Sequence, residues 1–190
     1  MMEALFQHME RYIDLTAADK DVLSETLRLR IVKRKEHLLE EGRFCHSNYF
    51  ICKGCCRLYY VNDKGVEQTV QFGIDNWWIT DLVAYTSEKL SQFYLQATEA
   101  GALVVWDRRG EEKLFRRIPA LERYFRLILL RAAAAEQQRS RYFSDLSGEE
   151  RYHHFNRSFP EFVQRVPQYM LASYLGFTPE FLSKIRAGKT

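Results

Sequence analysis

Segment 166–186 constrains the fold of this chain most, because its residue spacing predicts two short helices joined by a tight turn. Ala172 is small where two crossing helices would approach closely, and Gly176 can adopt the left-handed conformation that ends a helix. Apolar Leu182 and Ile185 lie six and nine residues beyond that glycine and would face the first helix. This order is the helix-turn-helix spacing.

Two interpretations of this segment are open: a DNA-binding helix-turn-helix and an ordinary helical hairpin. DNA binding is favoured because the face of the second helix that does not point at the first carries polar and basic side chains. Side chains of this kind reach base edges and phosphates. The residues predicted to contact DNA are Gln168, Tyr169, Thr178, Glu180, Phe181, Ser183, Lys184 and Arg186.

The charge of the chain is unevenly distributed. Residues 151–190 hold six lysines and arginines against two acidic residues, whereas residues 1–150 hold 22 against 23. Contacts with phosphate require positive charge, so the distribution agrees with a C-terminal part that binds DNA.

The composition and motifs exclude several other classes of protein. Apolar residues make up 46% of the chain, and no apolar run approaches the ~18 residues of a membrane span. The first residues lack the basic and apolar blocks of a secretory signal, so we expect a cytoplasmic protein. No Ser-His-Asp order, Walker loop, HExxH motif or paired carboxylate stands in a catalytic context. We therefore expect no enzyme and no cofactor.

Upstream, the pattern predicts an α+β chain with many short strands. From Leu29 to Trp106 apolar and polar residues alternate in runs separated by glycines. Residues 63–65, Asp-Lys-Gly, predict a hairpin turn, and a last pair of strands is expected around residues 99–101. Short strands joined by glycine turns are typical of a sandwich or jelly roll, whose interior leaves room for a small ligand.

A long helix is predicted from Pro119 to about Tyr142, with apolar residues spaced 4, 3, 4, 3 as in a heptad seam. The seam either joins two copies of the chain or packs on its own domain. We favour the dimer, because a symmetric DNA site read by two recognition helices needs a two-fold partner. The predicted interface residues are Leu121, Phe125, Ile128, Ala132 and Ala135.

These predictions divide the chain into three domains. Residues 1–106 form a jelly-roll sensor domain with N-terminal helices. Residues 107–143 form a connecting and dimerisation helix, and residues 144–190 form a helix-turn-helix DNA-binding domain.

The whole chain resembles the cyclic AMP receptor protein / fumarate-nitrate reductase regulator (Crp/Fnr) family, in the branch common in Bacteroidetes. The order of the parts is the same. The motifs that carry the resemblance are residues 49–54 (YFICKG) with 57–59 (RLY), 146–152 (LSGEERY) and 172–186. The resemblance implies a homodimeric transcription regulator with a roll of the cyclic-nucleotide-binding type.

The ligand site departs from the family pattern. In members that bind cyclic nucleotides, a Gly-Glu pair holds the ribose and an Arg-Ser/Thr pair holds the cyclic phosphate. Here the corresponding residues include Thr80-Asp81 and Ser91-Gln92, with no arginine nearby. A buried phosphate needs a charged partner or several directed amides, so we expect a degenerate sensor that does not bind cyclic AMP.

An unknown small-molecule effector remains an open alternative for the roll. Its predicted pocket residues are Trp77, Trp78, Thr80, Asp81, Ser91 and Gln92. For the two tryptophans the competing interpretation is a place in the core.

The C-terminal end also departs from the pattern. The family usually adds a β-hairpin wing after the recognition helix, but here only residues 187–190 follow it. A short or missing wing is therefore expected. This departure raises an alternative function, a sensing module that has lost sequence-specific DNA binding.

Four clustered cysteines raise another alternative, a thiol or metal redox sensor. Cys45, Cys52, Cys55 and Cys56 lie within twelve residues, and C-x2-C is a metal-ligand spacing. However, Cys55 and Cys56 are adjacent in a predicted strand and would point to opposite faces. We therefore expect reduced thiols and no metal.

Overall fold

The structure is a computed structural model that describes residues 1–188, apart from the side chain of Glu161. Helices and strands cluster into two compact units. The first consists of Met1–Tyr60 and Gln71–Leu129, and the second consists of Val61–Val70 and the chain from Leu130 onward.

Two four-stranded antiparallel sheets form the framework of the first unit, as expected for a jelly roll. Their strands are β1 (Arg28–Val32), β2 (His37–Leu39), β3 (Ser47–Lys53), β4 (Cys56–Val61), β5 (Glu67–Gly73), β6 (Trp78–Ile79), β7 (Tyr94–Ala97) and β8 (Gly101–Asp107). One sheet has the order β1-β8-β3-β6 and the other β2-β7-β4-β5. The tip of the β4–β5 hairpin belongs to the second unit.

The structure confirms one predicted hairpin and corrects the other. Gly65 has φ +75° in the turn between β4 and β5, as the Asp-Lys-Gly sequence predicts. By contrast, β7 and β8 do not pair with each other but lie in different sheets. Between β7 and β8 the chain passes from one sheet to the other. Gly101, at the start of β8, packs closely on the backbone of Lys53, since a Cβ on this glycine would lie 2.3 Å from the carbonyl oxygen of Lys53.

A short helix, α3 (Leu82–Ser87), interrupts the region that was expected to contain only strands. Asp81 begins it, since its carboxylate accepts a hydrogen bond from the backbone N–H of Ala84 at 3.1 Å. Periodicity missed α3 because six residues are too few to show a helical repeat.

Four helices pack on the β1-β8-β3-β6 sheet: α1 (Met2–Met9), α2 (Ala17–Thr26), α4 (Arg108–Arg117) and the first part of α5 (Ala120–Asp145). They share one apolar cluster with the sheet. Its buried members are Leu5, Phe6, Met9, Ile13, Val22, Leu23, Leu27, Phe50, Val104, Trp106, Leu114, Ile118, Leu121 and Tyr124.

One polar group bridges this cluster. The Tyr124 hydroxyl accepts a hydrogen bond from the indole N–H of Trp78 at 2.7 Å and lies 2.7 Å from Nδ1 of His8. Burial raises the pKa of Tyr124, so its hydroxyl stays protonated. The bridge joins α5 to α1 and β6.

The second unit contains the rest of α5 and the helices α6 (Gly148–Ser158), α7 (Pro160–Arg165), α8 (Gln168–Leu175) and α9 (Pro179–Arg186). The sequence did not predict α7, although Pro160 at its first position is a common helix start. The prediction of a short or missing wing rests on residues 187–190, of which Lys189 and Thr190 lie outside the described part of the chain.

None of the helices in residues 1–188 combines the length and the apolar character that crossing a membrane requires.

Replacing Tyr124 with Phe should destabilise the first unit by about 1–3 kcal/mol, because the buried indole N–H of Trp78 loses its acceptor. All three tryptophans belong to this unit, so urea unfolding followed by their emission reports on it. The control is Tyr60→Phe at an exposed ring, where the change should stay below about 0.5 kcal/mol. Equal effects of the two substitutions would contradict the proposed role of the bridge.

Candidate functional site

Helices α8 and α9 pack against each other through the predicted apolar stripe. The buried side chains are Met170, Leu171, Ala172 and Leu175 on α8 and Leu182 and Ile185 on α9. Gly176 follows α8 with φ +77°, and the next N–H, of Phe177, donates to the carbonyl of Ala172 at 2.8 Å. This left-handed glycine ends the helix and turns the chain into α9.

The start of α9 is fixed by its cap. The hydroxyl of Thr178 accepts a hydrogen bond from the backbone N–H of Phe181 at 3.2 Å, and Pro179 occupies the first helical position. Substituting such a cap with Ala usually costs a helix ~1 kcal/mol. The local sequence therefore sets where the exposed face of α9 begins.

All the residues predicted to contact DNA are exposed: Gln168, Tyr169, Thr178, Glu180, Phe181, Ser183, Lys184 and Arg186. Gln168 and Arg186 lie on the rim of one open groove of about 610 Å³. Its other lining residues are Tyr152, Asn156, Val163, Gln164, Val166 and Pro167. The structure thus brings the start of α8 and the end of α9 to the same groove.

Glu180 stands in the first turn of α9 as a carboxylate. Its pKa is lowered, first by a hydrogen bond from its own backbone N–H and then by one from the hydroxyl of Thr178. An ionised Glu at this position accepts hydrogen bonds only, which suits the amino group of cytosine.

Phe181 has a packing role that the sequence did not indicate. Its ring makes an edge-on contact with Phe177, with centroids 5.4 Å apart. A Cβ placed on Gly148 would lie 2.8 Å from the Phe181 ring. Phe181 therefore ties α9 to the first residue of α6, although 39% of its surface stays exposed.

Sequence reasoning also missed a cluster of arginines and aromatic rings in the second unit. The guanidinium of Arg139 lies 5.3 Å from the ring centre of Phe143, and that of Arg151 lies 4.8 Å from the same ring. Arg151 also lies 5.2 Å from the ring centre of Phe177. These two cations stabilise helix contacts. The i, i+4 spacing of Arg139 and Phe143 is the signal that could have indicated this.

In the first unit, three of the predicted pocket residues converge. The hydroxyl of Ser91 donates to the Asp81 carboxylate at 2.7 Å, and that of Thr80 donates to the carbonyl of Ser47 at 2.9 Å. The thiol of Cys45 lies 3.1 Å from the Thr80 hydroxyl. Asp81 is only 2% exposed, and the polar side chains of this buried cluster are paired with one another or with backbone.

The other three residues of the expected pocket lie elsewhere, which corrects the prediction of one site. Trp78 packs between Phe50, Trp106 and Phe125 in the apolar cluster, with ring centroids 5.3 to 6.1 Å apart. Trp77 is 42% exposed and Gln92 is exposed. For the two adjacent tryptophans the reason is that neighbouring side chains point to opposite faces where the chain enters β6, and the sequence pattern alone could not assign the faces.

The predicted dimer seam is corrected at its first residue. Leu121 is completely buried in the apolar cluster of its own unit, so it has no surface to offer a second chain. Phe125 and Ile128 are partly buried against the same cluster, whereas Ala132 and Ala135 are exposed. For the first turns of α5, packing on the chain's own domain is the interpretation that the structure supports.

Three of the four cysteines are poorly suited to redox chemistry. Burial raises the pKa of Cys56 to about 12, and it also raises the pKa values of Cys45 and Cys52. A thiol with a raised pKa holds little of the reactive thiolate at neutral pH. Among the side chains that the structure describes, no three His, Cys, Asp or Glu residues form a group that could hold a metal ion.

The fold is similar to that of solved transcription regulators. The c-di-GMP-responsive global regulator CLP of Xanthomonas campestris has a TM-score of 0.75 at 11% identity, over 91% of each chain. FixK2 of Bradyrhizobium japonicum has a TM-score of 0.69 at 14% identity, over 86% of this chain and 84% of that one. A Eubacterium rectale protein assigned to the Crp/Fnr family has a TM-score of 0.66 at 15% identity, over 92% and 83%.

No protein-family model matches the chain, and no curated protein does so either. At identities of 11 to 15%, the similarity shows the fold alone. The chain therefore has the fold of Crp/Fnr-type transcription regulators.

Proposed function

We propose that this protein is a cytoplasmic, homodimeric, DNA-binding transcription regulator of the Crp/Fnr family, in the branch common in Bacteroidetes. The observation that carries the proposal is the two-sided character of α9. Leu182 and Ile185 anchor the helix on α8, while the residues between and beyond them are exposed and polar. This is how a recognition helix is held against its neighbour and presented to the major groove.

Each exposed residue of α9 suits a different contact. Lys184 and Arg186 supply positive charge for phosphates or for the acceptor edge of guanine. Glu180 suits the donor of cytosine, and Ser183 can bond to either kind of group. The groove beside them, with Gln168 and Arg186 on its rim, offers further side chains to a phosphate backbone.

The functional division that we propose follows the three sequence segments. Residues 1–106 are the sensor, residues 107–143 connect and dimerise, and residues 144–190 bind DNA. The alternative hypothesis, a sensing module that does not bind DNA, leaves the exposed polar face of α9 unexplained.

Lys184→Ala should weaken operator binding by about 1–3 kcal/mol if the side chain touches a base. If it touches phosphate instead, the loss should be similar for all sequences, and the slope of log affinity against log salt should fall by about one. The operator is first identified by sequencing genomic DNA retained by the full-length protein. Affinity is then measured by fluorescence anisotropy at several salt concentrations.

The matched control for this test is Lys113→Ala, which removes the same charge from an exposed position on α4. It should bind the operator like the wild type. Wild-type affinity for the operator in both Lys184→Ala and Arg186→Ala would contradict the proposal that α9 is a recognition helix.

The dimer interface that we propose follows the exposed part of α5. Leu129 is 47% exposed and Leu130 57% exposed, and residues 132–135 are four exposed alanines. Apolar side chains and small residues on an uncovered helix allow a second helix to approach closely. The proposed interface therefore retains Ala132 and Ala135, and it contains Leu129 and Leu130 in place of the buried Leu121.

Leu130→Glu should convert the dimer into a monomer and abolish tight operator binding, because two unpaired charges would be buried at the symmetric interface. Sedimentation velocity at micromolar concentration measures the assembly. Ser24→Glu adds the same charge at an exposed site on α2 and should stay dimeric. Wild-type protein that sediments as a monomer would refute the interface.

The buried cluster of Cys45, Thr80, Asp81 and Ser91 argues against a cyclic nucleotide ligand. The side chains that stand in the ribose and phosphate regions of the resembling family, Asp81 and Ser91, are bonded to each other. A cyclic phosphate entering there would have to break this hydrogen bond between two buried side chains, and a buried polar group that loses its partner is costly.

Isothermal titration calorimetry of ligand-free protein with cyclic AMP and with cyclic GMP should therefore give no binding in the micromolar range. The control ligand is sodium phosphate, which should also produce no heat beyond dilution. A low-micromolar dissociation constant for either nucleotide would show that the cluster opens to accept it.

A further inference from the structure

The tip of the β4–β5 hairpin is held by one hydroxyl group of α8. Ser173 Oγ accepts a hydrogen bond from the backbone N–H of Thr69 at 2.9 Å and donates one to the carbonyl of Glu67 at 3.1 Å. Strand β5 is the last strand of its sheet, so these backbone groups lie on the edge opposite β4. A single side chain thus satisfies a donor and an acceptor that an edge strand would otherwise leave open.

The geometry of Ser173 is unusual for a serine within a helix. Such a hydroxyl commonly bonds to the carbonyl one turn earlier in its own helix. Here it bonds to backbone 104 residues earlier in the sequence. The bond therefore makes a tertiary connection between α8 and the hairpin.

Arg139 of α5 reinforces the same connection. It donates to the carbonyl of Val70, the residue after Thr69, at 3.1 Å, and to the carbonyl of Tyr174, the residue after Ser173, at 3.4 Å. Its guanidinium also lies 4.4 Å from the centre of the Tyr174 ring. Two adjacent residues of β5 are thereby joined to two adjacent residues of α8.

We infer that Ser173 and Arg139 form a hairpin clamp, which fixes α8 to the tip of the β4–β5 hairpin and positions α9 for DNA. This inference rests on the proposed function. The backbone groups of residues 67–70 and the side chains that bond to them all belong to the second unit.

With the clamp formed, the polar side chains of α9 are still exposed. The clamp therefore does not cover the recognition helix but limits its freedom. A binding surface that is ordered in advance loses less entropy on association, so releasing the clamp should weaken binding to DNA. Ser173 and Arg139 are positioning residues that need not touch DNA.

The test uses five variants of the full-length protein: three serine variants, Arg139→Lys, and the double variant that combines Ser173→Ala with Arg139→Lys. Ser173→Ala removes the hydroxyl, Ser173→Thr retains it, and Ser144→Ala makes the same deletion at an exposed serine of α5. Two quantities are measured: hydrogen exchange of the Thr69 amide, and affinity for the operator by fluorescence anisotropy.

Among the serine variants, we expect faster exchange at Thr69 and about three- to tenfold weaker operator binding in Ser173→Ala only. Ser173→Thr and Ser144→Ala should behave like the wild type in both measurements. Arg139→Lys should change both quantities in the same direction as Ser173→Ala. The double variant should lose less than the sum of the two single losses, since both residues hold one contact.

Faster exchange with unchanged operator affinity would overturn the positioning role. Unchanged exchange at Thr69 would overturn the clamp itself. If the wild-type protein binds no DNA, the proposed function fails and the positioning role falls with it, while exchange at Thr69 separately shows whether the clamp exists. Protection of α8 and α9 amides in each variant establishes that the helix pair is folded.

Discussion

The first unit depends on the hydrogen bond between the Trp78 indole and the Tyr124 hydroxyl, because losing this bond would leave a polar group unpaired within the apolar cluster. The bond sits inside an otherwise apolar cluster and joins β6 of the sheet to the start of the longest helix. Polar groups in such surroundings are costly unless they are paired, so they accept few alternative arrangements. Apolar packing alone would let α5 slide or rotate on the sheet, whereas this bond favours one register. The helix that leads to the second unit therefore begins from a defined position.

Four positive side chains of the second unit illustrate two different roles. Arg139 and Arg151 are partly buried among aromatic rings and donate to backbone carbonyls, so they stabilise the arrangement of helices. Lys184 and Arg186 are exposed at the end of α9. Because Arg151 belongs to residues 151–190 and is engaged within the fold, the net charge of that segment overstates the charge that it offers to a ligand.

In the roll, three of the residues predicted to line a ligand pocket bond to one another or to backbone. Ser91 donates a hydrogen bond to the buried carboxylate of Asp81. That bond helps to fix the loop before β7 against the start of α3, which gives the cluster a structural role. Control of DNA binding would then depend on another effector or on the amount of protein. A ligand can shift an equilibrium only by the difference in its affinity for the two states.

The sequence by itself determined the features that depend on a few neighbouring residues. Thr178 caps α9, Gly176 ends α8 and Gly65 turns the β4–β5 hairpin, because each acts on backbone within four residues of itself. The fold class of a jelly roll and the apolar stripe between α8 and α9 were also predictable, since both follow from the periodicity of apolar residues along the chain.

Only the tertiary structure decided which partner each apolar face meets. The heptad spacing marks one face of α5, but periodicity does not say whether a sheet or another chain covers it, and for Leu121 the sheet does. Likewise the sequence pattern predicts that β7 and β8 pair with each other, but the two strands belong to different sheets. The contacts of Ser173 with residues 67 and 69 carry no local signal at all. Such contacts link residues far apart in the chain, and their free energy depends on surfaces that come together only when the whole fold forms.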